Sequence, residues 1–384
     1  MFAMVRFIAI VVLALVSLLA VFPAPLHFLW LLAVVVQSYS WIFAAVILLL
    51  LVTSGYKGRF GLYNALICAL GLVCYLSPVY RAYSVARGLA RRLELAFTPP
   101  DSPRVARDSN EAFLWWRIFR LSNDRVAYRT YPYPTAAGDS LTLDLYPAQR
   151  PGPRPCVIII HGGAWEGGDS RELPALDSRL ARDGYVVAAI NYHLAPRFKS
   201  PQQVADADSA LAFLKARSTQ LSIDTSAFVL LGRSAGAQIA LQAAYTLQDP
   251  DVRGVIDFYG PADLVWAWGH PANKLVLDSR KILTDYLGGP YDVIPQQYDR
   301  ASPIRAMTTL SVPTLMIHGE EDVLVQYEQS RRLNEKLADS NVPHYLIKLP
   351  WGTHGFDYNI HGPGGQLSTY AVERFLREVV PGGK

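Results

Sequence analysis

The sequence predicts an α/β fold, a mostly parallel central sheet with helices on both faces, preceded by an α-helical transmembrane region. After about residue 110, short runs rich in β-branched residues alternate with longer helical stretches, the pattern of successive βαβ units. Two of the short runs, Val157-Ile-Ile-Ile160 and Thr314-Leu-Met-Ile317, are continuously apolar, as strands buried on both faces are. Before that half, no charged side chain occurs from Phe7 to Tyr56, and one membrane-spanning helix needs about 20 apolar residues.

The chain has 384 residues, 51% hydrophobic and 18% charged, with 26 Pro, 27 Gly and 3 Cys. Disordered, collagen-like and disulfide-stapled classes are thereby excluded. Charge is unevenly spread: Arg6, Lys57, Arg59, Arg81, Arg87, Arg91 and Arg92 precede the first acidic residue, Glu94, whereas the remainder is slightly acidic. These cations flank apolar runs, which fits membrane topology and excludes nucleic acid as a partner. Cys68 and Cys74 lie in an apolar stretch and Cys156 begins a strand candidate. Their spacing suggests neither a disulfide framework nor a zinc site, and no cofactor or metal is expected.

Three spans are expected, near 7–22, 28–51 and 61–79, separated by Pro23-Ala-Pro25 and Gly55-Tyr-Lys-Gly-Arg59. A cleaved signal peptide would account for the first run but not the later two. In the middle run, Gln37-Ser-Tyr-Ser40 reads either as hydroxyls bonded within a helix bundle or as the break of a re-entrant pair. The larger Arg cluster after the third span favours a cytoplasmic C-terminal domain, with membrane lipids as neighbours. Residues 81–97 can separate Arg and apolar positions onto different helical faces, as a helix at the lipid interface does. Thr98-Pro-Pro-Asp-Ser-Pro103 then reads as a linker. The division is 1–80 transmembrane, 81–110 basic juxtamembrane helix and linker, and 111–384 catalytic, with a cap-like insertion around 261–309.

In the globular half, strands are expected at 140–146, 156–161, 185–192, 228–231, 254–259, 313–318 and 344–349. The alternating Ser140-Leu-Thr-Leu-Asp-Leu-Tyr146 reads as an antiparallel strand near an edge. The run Phe228-Val-Leu-Leu-Gly232-Arg-Ser234-Ala-Gly236 leads from a strand through a tight turn into a helix. Small residues around Ser234 let the backbone turn sharply enough to present its hydroxyl, and the helix start offers N–H groups to a developing oxyanion. Upstream, Val157-Ile-Ile-Ile-His161-Gly162-Gly163-Ala164-Trp165 ends a strand in a Gly pair. The amides of Gly162, Gly163 or Ala164, with that of Ala235, can reach a substrate oxygen.

A serine hydroxyl needs a base, and the base needs an orienting carboxylate. Asp322 in His318-Gly-Glu-Glu-Asp322 is preferred over Glu320 and Glu321, and His354 in Gly352-Thr-His354-Gly355 is preferred over His361. His318 and His344 read as structural. The order Ser234, Asp322, His354 differs from the chymotrypsin and subtilisin orders and matches that of the α/β-hydrolase sheet. Trp165 and Tyr192 follow strand ends on the catalytic side and are expected to contact substrate. In the insertion, Trp266, Trp268, Tyr286, Tyr291 and Tyr298 read mainly as its own small core.

With these motifs in place, the sequence resembles the α/β-hydrolase superfamily, and within it the esterase/lipase branch related to hormone-sensitive lipase and to feruloyl-esterase-like and prenylcysteine-methylesterase-like carboxylesterases. The matching segments are His161-Gly-Gly-Ala-Trp165, Asn191-Tyr-His-Leu-Ala-Pro196, Gly232-Arg-Ser-Ala-Gly236, Tyr259-Gly-Pro-Ala-Asp-Leu264, Ala301-Ser-Pro-Ile304, His318-Gly-Glu-Glu-Asp322 and His354-Gly-Phe356. They span about residues 140–380 and leave the membrane part uncovered. The resemblance implies Ser234 as nucleophile, Asp322 and His354 as its partners, and Gly162, Gly163 and Ala235 as the oxyanion hole. Arg233 and Ala237 depart from the family pattern without removing a catalytic group. The expectation is a membrane-anchored serine carboxylesterase acting on a small-molecule or lipid ester. Peptidase, amidase or acyltransferase chemistry on the same residues is the rival, and a non-catalytic binding module is the more distant one.

Overall fold

The computed structural model describes residues 2–53, 58–98, 112–121 and 125–380. Among these, eight strands form one sheet: β1 (Arg129–Pro134), β2 (Ser140–Tyr146), β3 (Arg154–Ile160), β4 (Val186–Ile190), β5 (Ile223–Arg233), β6 (Val252–Phe258), β7 (Thr314–Gly319) and β8 (His344–Leu349). Their order is β1-β2-β4-β3-β5-β6-β7-β8. The first two strands are antiparallel to their neighbours, and β4, β3 and β5 to β8 are mutually parallel. The expected strands are thus present, β2 and β8 at their expected bounds and the others with shifted ends. β1 was not expected, because Pro132 and Pro134 remove two backbone donors. An edge position tolerates that loss, and β1 pairs only with β2.

The central strands bury both faces. In β3, Ile158 and Ile160 join a core with Val204, Leu211, Ile239 and Leu333 from helices on one side. Val157 and Ile159, pointing the other way, join Leu176, Leu180, Leu367 and Phe375 from helices on the opposite side. That two-sided burial explains the unbroken apolar run, where a strand with one wet face would alternate.

The N-terminal region is helical. Gly61–Ala86 is long and apolar enough to cross a membrane, with mean hydropathy 1.8 over its best window. Met4–Ala20 is a shorter apolar helix. The expected second span is not one helix: His27–Ser38 and Ser40–Val52 meet at an angle of 84°. The bend falls in the Gln37-Ser-Tyr-Ser40 patch, where Gln37, Ser38 and Ser40 are buried. Outer positions of these helices carry exposed apolar side chains, among them Ile8, Leu15, Leu49, Leu66, Leu70 and Val73.

The helix Leu89–Phe97 does not keep its apolar face for lipid. Leu89 and Leu93 are buried in the same core as Leu367 and Phe375, the Phe97 and Phe375 rings are 4.8 Å apart, and Arg92 donates to the Tyr345 hydroxyl at 2.7 Å. A face-segregated pattern says that something covers the apolar side without saying what, and here the C-terminal helix Pro363–Val379 covers it. The expected linker beyond Thr98, and Lys57, lie outside the described residues.

Because Ile158 is fully buried at the sheet centre, Ile158→Ala removes apolar contacts on a face that cannot collapse. Thermal or denaturant unfolding of the detergent-solubilised protein should show a loss of about 2–5 kcal/mol. A change within error would contradict the assigned core.

Candidate active site

β5 ends at Arg233 and the helix Ala235–Thr246 begins immediately after Ser234. Ser234 carries the whole turn, with φ 52° and ψ −118°. A non-glycine residue at positive φ is strained and persists where surrounding structure over-determines it. The Ser234 N–H donates to Phe258 O at 2.9 Å, tying the turn to the end of β6. The two flanking glycines are required by space. A Cβ on Gly232 would lie 2.1 Å from Gly236 O, and one on Gly236 would lie 2.2 Å from Ile160 O.

After β7, Asp322 is buried in the loop that starts the next helix. Its Oδ1 accepts the N–H groups of Leu324 and Val325, each at 2.9 Å. Its Oδ2 accepts from His354 Nδ1 at 2.7 Å. His318 Nε2 lies 3.3 Å from the same oxygen and 2.9 Å from Val325 O, while its Nδ1 is 2.7 Å from the Ser330 hydroxyl. Burial alone would raise the Asp322 carboxyl; the His354 and His318 imidazoles outweigh it and hold the carboxyl well below its ordinary range. Glu320 instead pairs with Lys348 at 3.1 Å. His361 sits in a separate loop, where its N–H donates to Asn359 Oδ1. His344 closes the turn before β8 on Val342 O.

Ser234 and His354 line one cavity of about 650 Å³, together with Gly162, Gly163, Ala164, Trp165 and Ala235. The residues of the Gly-pair loop differ in their backbone roles. The Gly162 N–H donates to Glu172 Oε2 at 2.9 Å, so it is already engaged. Among the described residues, the N–H groups of Gly163, Ala164 and Ala235 make no inter-element backbone bond. Gly163 turns the chain with φ 104°, where a Cβ would meet Gly167 O at 2.2 Å.

Trp165 lines the cavity, with its indole N–H donating to Gln238 Oε1 at 3.0 Å and its ring stacked 4.1 Å from that of Tyr286. Tyr192 is outside the cavity lining. It stacks on His161 at 4.2 Å, and its hydroxyl donates to the His161 and Gly162 carbonyls at 3.2 and 3.1 Å. Tyr192 therefore braces the Gly-pair loop from behind. In the insertion, Tyr286 and Tyr298 are fully buried, whereas Trp266 faces the cavity.

Several groups at the site had no clear signal in the sequence. Arg233 Nε pairs with Asp357 Oδ2 at 2.7 Å, both side chains buried, and the Tyr259 hydroxyl donates to Asp357 Oδ1 at 2.6 Å. The Tyr259 ring lies 4.4 Å from that of His354. These contacts fasten the loop after His354 to the end of β5. Trp30, from the N-terminal region, donates its indole N–H to His354 O at 3.0 Å. Among the described residues, no group of three or more His, Cys, Asp or Glu side chains could hold a metal ion.

Gly232→Ala and Gly236→Ala should each unfold at clearly lower temperature than Gly269→Ala, whose added Cβ meets open space. Equal melting of the three would refute the close-approach account. A second expectation concerns Asp177, which is fully buried near Arg233, with no partner from another of the described residues on either oxygen. Burial pushes its carboxyl up to about 7, against a smaller lowering by Arg233. The folded state thus favours the protonated acid, a contribution full below about pH 4 and lost as pH rises through about 7. The stability of Asp177→Asn relative to wild type should therefore rise between pH 5 and 8, by at least about 1 kcal/mol. A difference that stays flat or falls would contradict it.

The BD-FAE family model matches residues 143–337, just over half of the chain. Among curated relatives, Esterase LipC of Mycobacterium tuberculosis is 30% identical over 247 residues, covering 59% of this chain and 59% of that protein. The probable carboxylic ester hydrolase LipM of the same organism is 31% identical over 243 residues, covering 59% and 55%. Isoprenylcysteine alpha-carbonyl methylesterase ICME of Arabidopsis thaliana is 23% identical over 233 residues, covering 55% and 53%. The chain thus spans little more than half the length of these relatives. Among solved structures, a hyperthermophilic esterase from Pyrobaculum calidifontis superposes with a TM-score of 0.60 at 20% identity, covering 79% of this chain and 99% of that one. A bacterial heroin esterase gives 0.58 at 23%, covering 68% and 87%. These likenesses establish an α/β-hydrolase fold, and the chain belongs to the BD-FAE family.

Proposed function

We propose that the protein is a membrane-anchored serine carboxylesterase for apolar or lipidic carboxylic esters. One observation carries the reading: a strained Ser234 turn shares a cavity with His354, whose Nδ1 is held by the Asp322 carboxylate at 2.7 Å. The esterase names of the relatives support the same chemistry.

In this mechanism Ser234 Oγ attacks the ester carbonyl carbon while His354 Nε2 takes its proton. The resulting oxyanion is met by the amides of Gly163, Ala164 and Ala235, with Gly162 left to Glu172. Collapse expels the alcohol, which takes the proton from His354, and leaves the acyl group on Ser234. Water then attacks the acyl carbon, His354 receives the water's proton, and the acid leaves as that proton returns to Ser234 Oγ. The depressed Asp322 carboxyl remains ionised across neutral pH and holds the imidazole in the tautomer that presents Nε2 as acceptor.

The exposed apolar side chains of the N-terminal helices support membrane anchoring, because soluble surfaces seldom display contiguous apolar area of this kind. In this reading Gly61–Ala86 spans the bilayer and Met4–Ala20 and the bent pair complete a multi-pass anchor. Arg81, Arg87, Arg91 and Arg92, at the C-terminal end of the span, favour a cytoplasmic catalytic domain.

Ser234→Ala should abolish both fluorophosphonate labelling and hydrolysis of p-nitrophenyl esters. Asp322→Asn, which leaves the geometry but loosens the tautomer, should lower kcat by about 10⁴-fold. Full activity in Ser234→Ala would refute the nucleophile, and an unchanged kcat in Asp322→Asn would refute the orienting acid. Alkaline carbonate should fail to release the protein from membranes, and release would refute the anchor.

A further inference from the structure

The catalytic cavity is not built by the α/β domain alone. One wall is the helix His27–Ser38, which contributes Trp30, Leu31 and Val34. The insertion contributes Trp266, Ile282 and Leu283 to the same lining, which also holds Ser234 and His354. Hydrogen bonds fix the helix there along its whole length. At its start, the His27 N–H donates to Leu275 O at 3.0 Å, and His27 Nδ1 lies 3.0 Å from Val276 O. In the middle, Trp30 reaches His354 O. At its end, Gln37 Oε1 accepts from the Thr353 N–H at 3.0 Å, and Asn359 Nδ2 donates to Ser38 O at 3.1 Å.

The same helix leads through the 84° bend into Ser40–Val52. It therefore lies crosswise at the junction between the apolar helices and the catalytic domain. Its outer side is apolar and uncovered: Phe28, Leu31 and Val35 are exposed, and Leu275 is exposed beside them. Leu31 and Val35 also border the cavity. The apolar surface of the helical region is thus continuous with the inside of the catalytic cavity. A volume of about 650 Å³ lies within the range of about 300–1,000 Å³ that encloses whole small ligands.

We infer that His27–Ser38 is a substrate-binding element, its Trp30–Leu31–Val34 face holding the long alkyl chain of a membrane-resident ester that enters from the lipid side while its ester group reaches Ser234. The inference rests on the proposed esterase chemistry and adds to it the subsite and the class of substrate. It makes His27–Ser38 part of the binding machinery, where an anchor alone would only tether the domain. Water-soluble short-chain esters would fill the Ser234 end and leave the helix untouched.

The test uses the full chain in detergent micelles with a long-chain alkyl fluorophosphonate bearing a terminal diazirine. After Ser234 is labelled, illumination should cross-link the chain end to residues 27–38, read by peptide mass spectrometry. Cross-links confined to other segments would overturn the inference while leaving the nucleophile intact. No labelling of wild-type Ser234 would sink the esterase reading and the subsite together. Independently, Val34→Phe should lower the ratio of kcat/KM for p-nitrophenyl decanoate to that for the acetate at least tenfold. Leu49→Trp, on the exposed side of the bundle, should keep the wild-type ratio. If Val34→Phe also keeps it, the helix does not hold the chain.

Discussion

The turn at Ser234 is the constraint around which the site is arranged. A serine at φ 52° stays there only because its neighbours leave the backbone no alternative. β5 enters between β3 and β6, the helix Ala235–Thr246 leaves against the same strands, and Gly232 and Gly236 let the two backbones pass at a distance no Cβ permits. The bond from the Ser234 N–H to Phe258 O fixes the direction of the turn. With the hydroxyl thus raised at the carboxyl ends of the parallel strands, each further group need only arrive at a neighbouring strand end. The Gly-pair loop follows β3, Asp322 follows β7 and His354 follows β8, which is where ligand chemistry gathers in such sheets.

Holding the histidine loop is the second requirement, since the loop leaves the sheet near its edge. Two sets of contacts do so. From the domain, the buried Arg233–Asp357 pair and the Tyr259 hydroxyl anchor it to the end of β5. From the N-terminal region, Gln37 and Trp30 bond the backbone at Thr353 and His354. A buried ion pair of this kind is weak evidence for stability, but its position between the residue before Ser234 and the loop after His354 gives it a geometric role. The His354 loop is thereby gripped by both parts of the chain.

Much of this was legible in the sequence because it depends on short-range pattern. Continuous apolar runs gave the buried strands, and the spacing of Gly232, Ser234 and Gly236 contains the steric demand of the turn. The loops holding Asp322 and His354 followed from the strand order, whereas Glu320, Glu321 and His361 stayed as competitors until the Asp322–His354 contact was seen. What stayed hidden depends on side-chain direction or on distant pairings. Tyr192 follows a strand end as expected, yet its ring turns back to brace the Gly-pair loop. Gly162 lies in the correct loop, but a carboxylate ten residues later takes its N–H. β1 was masked by its prolines. The Gln37 patch left a bundle-internal reading and a break both open, and no local signal could say that its amide would reach Thr353, 316 residues away.

In the proposed reaction Ser234 is acylated and then freed by water. Mixing the solubilised protein with p-nitrophenyl decanoate, quenching in acid during turnover and mapping the adduct by peptide mass spectrometry tests this. A decanoyl group is expected on the peptide containing Ser234, appearing with the p-nitrophenolate burst and absent from Ser234→Ala. Turnover with no adduct at Ser234, or an adduct at another residue that persists in Ser234→Ala, would contradict it.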